Sequence, residues 1–186
     1  IDAHADALVT SIAGAVAEQH VPHVVMLSSA GADLSVGTGP ITGLHRLEQA
    51  LLATGSTVTA LRSGHFQEKV TDVIDSARDG GVYPVFATSA DSPIPMVATR
   101  DIGEVAAQAL LSPPPSSEVV DIIGPAYSER AVAEVLGAAL RRELHVVTIR
   151  EDDWAAAFAD AGFRPHIAES LAELYRADER GVLAPR

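Results

Sequence analysis

Apolar residues along this chain alternate between helical spacing and short continuous runs. Within residues 3–19, Leu8 and Ile12 lie one helical turn apart on an apolar stripe, and Pro22 follows the end of the stripe. Residues 24–27 then form an apolar run without a polar member. Such a run is typical of a strand that is covered on both faces of a parallel sheet.

The same alternation continues to the C-terminus. The spacing predicts further helices at 44–52, 66–78, 102–110, 128–140, 154–161 and 167–175, and further strands at 57–61, 82–86, 94–98, 119–123 and 144–149. Strands that alternate with helices favour a parallel sheet joined by right-handed crossovers. We therefore predict an α/β fold.

Polar and small residues follow the first two strands. Ligands in parallel sheets bind beyond the carboxyl ends of the strands, so these residues are expected to form a cleft. The expected lining comprises Ser28, Ser29, Gly31, His45, Arg62, Gly64, His65 and Phe66. The serine hydroxyls can bond a ribose or a substrate carbonyl, or they can serve turn chemistry, and both interpretations stay open. No nucleophile-elbow motif surrounds either serine, which disfavours a hydrolase.

Two further motifs have an ordinary structural interpretation. The glycine-rich segment 37–43 is separated from the preceding strand by 29–36, and Pro40 lacks an N–H donor. A dinucleotide loop follows its strand at once, so we interpret this segment as a loop that enters a helix. His45 and Glu48 lie one turn apart, and His45 is a candidate proton donor. The alternative interpretation, which we favour, is a solvated helix face.

Charge and composition exclude several classes of function. The formal net charge of −12 disfavours binding to a phosphate backbone or an anionic membrane surface. The chain has no cysteine, which excludes disulfides and thiolate metal sites and fits a cytoplasmic location. No metal site is expected, and the first residues lack the pattern of a signal peptide.

Several segments, taken together in order, resemble the NmrA-like family of atypical short-chain dehydrogenases/reductases, which bind NAD(P). They are HVVMLSSAG at 23–31, HRLEQALL at 45–52, LRSGHFQE at 61–68, RDIGEVA at 100–106, IGP at 123–125 and FADAGF at 158–163. The resemblance covers nearly the whole chain. The family's first strand and glycine-rich turn have no counterpart among these segments, so we expect the chain to correspond to the later part of the family's fold.

The resemblance implies a partial Rossmann-like parallel sheet with a small C-terminal lobe. The core would comprise 1–64 and 94–124, and the lobe 65–93 and 125–186. The helical spacing of Trp154 and Phe158 predicts that these two residues and Phe163 lie in a core of the lobe's own. The implied cofactor is NADP or NAD. Its binding residues would be Ser28, Ser29, Arg62, Ser63, Gly64, His65 and Phe66. Substrate would contact Gly31 and Met96.

The Tyr-x-x-x-Lys pair of short-chain dehydrogenases/reductases has no counterpart here. Pro40 and Leu44 stand near the two positions, and His45 is one position away from the lysine's, which makes it a weak catalytic candidate. The first functional hypothesis is an NAD(P)H-dependent reductase of a small electrophile such as a quinone or azo compound. The alternatives are a non-catalytic dinucleotide sensor and a remnant that does not bind dinucleotide alone. Self-association, or pairing with an absent N-terminal segment, is also expected.

Overall fold

The computed structural model describes residues 3–183 and contains helices and strands in alternation. The helices are α1 (Ala3–Glu18), α2 (Ile41–Leu52), α3 (Thr99–Leu111), α4 (Glu129–Leu140), α5 (Trp154–Asp160) and α6 (Pro165–Glu179). The strands are β1 (His23–Ser29), β2 (Thr57–Ser63), β3 (His65–Phe66), β4 (Val82–Val85), β5 (Ile94–Val97), β6 (Glu118–Ile122), β7 (Ala126–Tyr127) and β8 (His145–Thr148). In this part of the chain no helix is long and apolar enough to cross a membrane.

The main sheet is parallel and has the strand order β1-β2-β6. His23 lies opposite Thr57 and Ser29 lies opposite Ser63, so the carboxyl ends of β1 and β2 coincide. The predicted α/β fold with a parallel sheet is confirmed. Among the described strands β1 pairs only with β2, which leaves its other edge open.

Apolar residues cover both faces of β2. Val58 and Ala60 point to one face, where they pack with Met26 and with Leu51 of α2. Successive strand residues point to opposite faces. Leu61, on the other face, is also buried, and α3 packs against β1 and β2. This double coverage explains why the strands read as continuous apolar runs.

Two smaller sheets accompany the main sheet. Here β4 pairs with β8 in parallel, and β5 joins β3 in parallel and β7 in antiparallel orientation. Trp154 is fully buried and donates its ring N–H to the Ile149 carbonyl at 2.8 Å. Phe158 packs beside it, as predicted. Phe163 was expected in the same core, but it is 46% exposed and contacts only the edge of that core, against the Phe158 ring.

The predicted helix over 66–78 is confirmed only in part. Residues 67–80 are helical, but they do not form one α-helix. Phe66 belongs to β3 and pairs with Val97. A 3-10 helix then runs over Gln67–Val73, and a wider π-type turn covers Ser76–Gly80. Four β-branched residues lie within 70–74, and such residues lose side-chain freedom in an α-helix. The pairing of Phe66 with β5 makes the helical stretch begin at Gln67, one residue later than predicted.

Candidate functional site

One cavity of about 760 Å³ opens at the carboxyl ends of β1 and β2. Its sheet side is formed by Leu27, Ser28, Ser29, Ala30, Ser63, Gly64, His65, Phe66, Ile122, Ile123 and Gly124. Its other sides come from Pro40, Ile41, Leu44, Lys69, Pro93, Ile94, Pro95, Val97, Leu174, Tyr175, Asp178, Gly181 and Leu183. The lining is mainly apolar with a few polar groups, which is the usual character of a small-molecule site.

Most residues predicted to bind a cofactor lie in this lining. They are Ser28, Ser29, Ser63, Gly64, His65 and Phe66. The structure brings them together because β1 and β2 run parallel in register and β3 begins one residue after β2 ends. Their roles in binding stay predictions.

Arg62 does not line the cavity. Its guanidinium donates two hydrogen bonds to the carboxylate of Glu48, from Nε at 3.1 Å and from Nη2 at 2.6 Å. Ser28 Oγ donates to the same carboxylate at 2.5 Å. The hydrogen bond with Glu48 and the nearby acids, Asp33 among them, raise the pKa of Arg62 against the effect of burial. Arg62 therefore stabilises the position of Ser28 through Glu48.

Glu48 corrects the interpretation of its helix face as solvated. Its side chain is 4% exposed and sits between α2 and the sheet. His45, one turn earlier, donates from Nδ1 to the Ala32 carbonyl at 2.8 Å, since a carbonyl can only accept. His45 lies outside the cavity lining and ties α2 to the loop that follows β1.

The two predicted substrate-binding residues also lie outside the lining. Gly31 has a φ of +85°, and a Cβ there would come within 2.5 Å of a Leu183 methyl carbon. Met96 is buried beneath the site, where its backbone pairs with His65 and approaches Gly124 too closely for any side chain. Both residues shape the cavity from behind its surface.

Ser63 presents the one buried side-chain polar atom without a hydrogen-bond partner among the described residues. By strand alternation its hydroxyl points to the face opposite the Glu48 carboxylate. Ser29, its neighbour across the strands, bonds the Ala30 carbonyl at 3.1 Å. A buried hydroxyl without a partner costs free energy, so an orphan beside a cavity marks a place where a ligand's polar group fits.

Four titratable residues form one wall of the cavity. His65 and Lys69 come from β3 and the turn after it, and Tyr175 and Asp178 come from one face of α6. Sequence reasoning missed Lys69, Tyr175 and Asp178 as lining residues. The available signal was the i, i+3 spacing of Tyr175 and Asp178 on a predicted helix, but nothing in the sequence placed that helix over the sheet.

Burial sets the protonation of this wall. Burial lowers the pKa of His65, so its imidazole is neutral at pH 7. Burial raises the pKa of Tyr175, although Lys69 opposes the effect, so the phenol keeps its proton. Burial acts against the charge on Lys69, but Tyr175 and Asp72 raise its pKa beyond that loss. Burial also raises the pKa of Asp178.

The glycine-rich segment 37–43 leads into α2, as interpreted from the sequence, and packs against α6. Thr38 is fully buried. Gly39 has a φ of +57°, and a Cβ there would collide with the Ser170 carbonyl of α6. The glycine is needed for this close approach of helix and loop. Through this contact the segment holds α6 over the cavity.

No family model matches the sequence, and no match is found among curated proteins. Solved structures do match. An NADPH-dependent quinone oxidoreductase from Escherichia coli, complexed with NADPH, superposes with a TM-score of 0.79 at 22% identity, over 95% of this chain and 62% of that one. A triphenylmethane reductase from Citrobacter sp., complexed with NADP(H), gives 0.70 at 14% identity, over 96% and 62%.

A nucleoside-diphosphate-sugar epimerase from Staphylococcus aureus gives a TM-score of 0.74 at 16% identity, over 96% of this chain and 62% of that one. The chain therefore has the Rossmann-like α/β fold of these solved structures, which is the fold that its resemblance to the NmrA-like family implies. It spans about three fifths of the length of these structures, which fits the prediction that it corresponds to part of such a fold.

Proposed function

We propose that this chain forms the nicotinamide and substrate end of an NAD(P)H-dependent reductase that acts on a small apolar electrophile. The observation that carries the proposal is the position of the orphan Ser63 hydroxyl, which borders an apolar cavity at the carboxyl ends of two parallel strands. Nicotinamide rings bind at this edge of open α/β sheets. The quinone and dye reductases among the structural neighbours support the same class of reaction.

The residues at the strand ends fit a nicotinamide nucleotide. Ser63 offers a free hydroxyl, and Ser28 uses its proton on Glu48, so its oxygen remains as an acceptor. Gly64 leaves the cavity floor open, since a Cβ there meets only the Pro95 carbonyl, at 3.6 Å. A bound reduced nicotinamide supplies a hydride. The apolar residues Leu27 and Phe66 exclude water and help to orient the two reactants.

A non-catalytic dinucleotide sensor is the second candidate. The observation that favours it is the side of the cavity formed by α2 and the residue before it, where Pro40, Ile41 and Leu44 are all apolar. The tyrosine and lysine positions of short-chain dehydrogenases/reductases fall near Pro40 and Leu44, and neither residue can transfer a proton. A sensor would bind the nucleotide without turnover. A remnant, the third candidate, would bind no nicotinamide at all.

Binding of reduced nicotinamide mononucleotide separates these candidates. Without a glycine-rich turn to hold a pyrophosphate, the chain should bind the mononucleotide about as tightly as NADPH. Ser63→Ala should weaken that binding about fivefold, the usual effect of one lost hydrogen bond. Ser35→Ala, on the exposed loop, should leave it unchanged. Fluorescence titration of the nicotinamide measures both.

Turnover then distinguishes the reductase from the sensor. Oxidation of the mononucleotide by a panel of quinones supports the reductase, and binding without oxidation supports the sensor. If the mononucleotide does not bind, the proposed nicotinamide site is wrong and the remnant is favoured. Much tighter binding of NADPH than of the mononucleotide would also contradict the proposal that the chain binds only the nicotinamide end of the cofactor.

We also propose that the open edge of β1 pairs with another strand, from a second copy of this chain or from an N-terminal segment. The strand is apolar and carries no lysine, proline or bulge to protect it, and an unprotected edge recruits a partner. The other binding partners would be small molecules rather than nucleic acid or a membrane. The protein would act in the cytoplasm. Static light scattering tests the pairing, and a stable monomer at all concentrations would contradict it.

A further inference from the structure

The wall formed by His65, Lys69, Tyr175 and Asp178 differs from the rest of the cavity. Elsewhere the lining is apolar or carries hydroxyls near the sheet. Lys69 is the lining cation at neutral pH among the described residues, because burial keeps the neighbouring His65 imidazole neutral. Asp72 accepts one hydrogen bond from the Lys69 ammonium, at 2.8 Å. An ammonium has three N–H donors, so two remain for a ligand.

The Tyr175 hydroxyl is a second unused donor. Its ring is fixed by contacts with Phe86, Phe158 and Trp154, at centroid distances of 5.4, 5.6 and 6.1 Å. No hydrogen bond joins its hydroxyl to another side chain or backbone group of residues 3–183. A phenol held rigidly beside a cavity, protonated and near a cation, is well placed to donate to a ligand oxygen.

We propose that Lys69 and Tyr175 form the subsite for a carbonyl oxygen of a planar, otherwise apolar substrate such as a quinone. This inference rests on the proposed function and adds the orientation of the substrate. The ring plane lies in the apolar middle of the cavity, one carbonyl oxygen accepts from the two donors, and the opposite side of the ring faces the strand ends. The proton source therefore lies on α6 and on the segment after β3, and not on α2.

The reduction balances with these groups. A quinone gains a hydride, supplied by the reduced nicotinamide, and one of its oxygens becomes an anion. The O–H bond of Tyr175 breaks as a new O–H bond forms on that oxygen. The Lys69 ammonium stabilises the tyrosinate until a proton from solvent restores the phenol. The products are the hydroquinone and the oxidised nicotinamide.

The test uses this chain with 1,4-naphthoquinone and needs no dinucleotide. Trp154 is the only tryptophan and lies 6.1 Å from the Tyr175 ring, so a bound quinone should quench its fluorescence. Tyr175→Phe and Lys69→Met should each weaken naphthoquinone binding about five- to tenfold, as expected for loss of one hydrogen bond to the ligand. Tyr127→Phe and Arg100→Met, which lie outside the cavity, are the matched controls.

Naphthalene, measured by competition with the quinone, separates recognition of the oxygen from packing. Its affinity should be the same in all five proteins, since it has no oxygen. The proposal is overturned if wild-type fluorescence is not quenched, if Tyr175→Phe and Lys69→Met bind naphthoquinone normally, or if both weaken naphthalene equally. Quinone binding with the expected losses, but without binding of the mononucleotide, supports this subsite and rejects the proposed reductase.

Discussion

Removal of Arg62 should cost more stability than removal of the whole buried ion pair to which it belongs. In Arg62→Met, the Glu48 carboxylate loses two hydrogen bonds, of 2.6 and 3.1 Å, and keeps only that of Ser28. Its side chain is 4% exposed, so water cannot replace the lost partner. Breaking one side of such a pair destabilises by about 3–5 kcal/mol.

The double variant Glu48→Met/Arg62→Met removes both charges and should cost only about 1–2 kcal/mol, mainly from the stranded Ser28 hydroxyl. Urea unfolding followed by far-UV circular dichroism gives each free energy of unfolding. Arg78→Met, which removes exposed ion pairs with Asp75 and Asp79, should leave stability unchanged. A loss below about 1 kcal/mol in Arg62→Met, or additive losses in the double variant, would refute the reasoning.

Three further predictions follow from burial and close packing. Gly124→Ala should destabilise the fold by about 1–3 kcal/mol because a Cβ would collide with the Met96 carbonyl. Gly103→Ala, where a Cβ would meet only open space on α3, should stabilise the fold by about 0.5–1 kcal/mol. Urea unfolding measures both changes. Iodide should not quench Trp154 in the folded chain, since its side chain is fully buried, and strong quenching would contradict this. Burial lowers the pKa of His65 below its ordinary 6.5. The unfolded chain therefore takes up the proton first as the pH drops, and the free energy of unfolding should decrease below about pH 6.5. Urea unfolding at pH 7 and at pH 5.5 should show a smaller decrease in His65→Gln than in the wild type.

The elements of the main sheet could be predicted from the sequence because their signals are local. The run 24–27 has no polar residue, and both faces of the strand are covered by helices, as that pattern requires. The prediction was only partly right at 66–78, where Phe66 pairs with Val97 in β3 and the helical residues that follow do not form a single α-helix. Such short pairings depend on a distant segment and leave no periodic pattern in the sequence.

The site was predictable on its sheet side only. Residues after β1 and β2 had to meet, because parallel strands in register share one edge. The ion pair of Glu48 on α2 with Arg62 on β2 was not visible, since charged side chains are ordinarily solvated. Tyr175 was hidden for a different reason. Its helix comes far after the sheet in the sequence, and α6 reaches the cavity through contacts with distant segments, such as that with Gly39.

The loop between β1 and α2 combines a fixed end with an exposed tip, and this suits it to site-directed labelling. Gly39 is clamped against α6, but Val36 is 76% exposed and Gly37 has open space around it. The chain contains no cysteine, so Val36→Cys would carry its sole thiol. A small environment-sensitive dye attached there would report any shift of the loop against α6 when a ligand enters, in a single labelling step and without other substitutions.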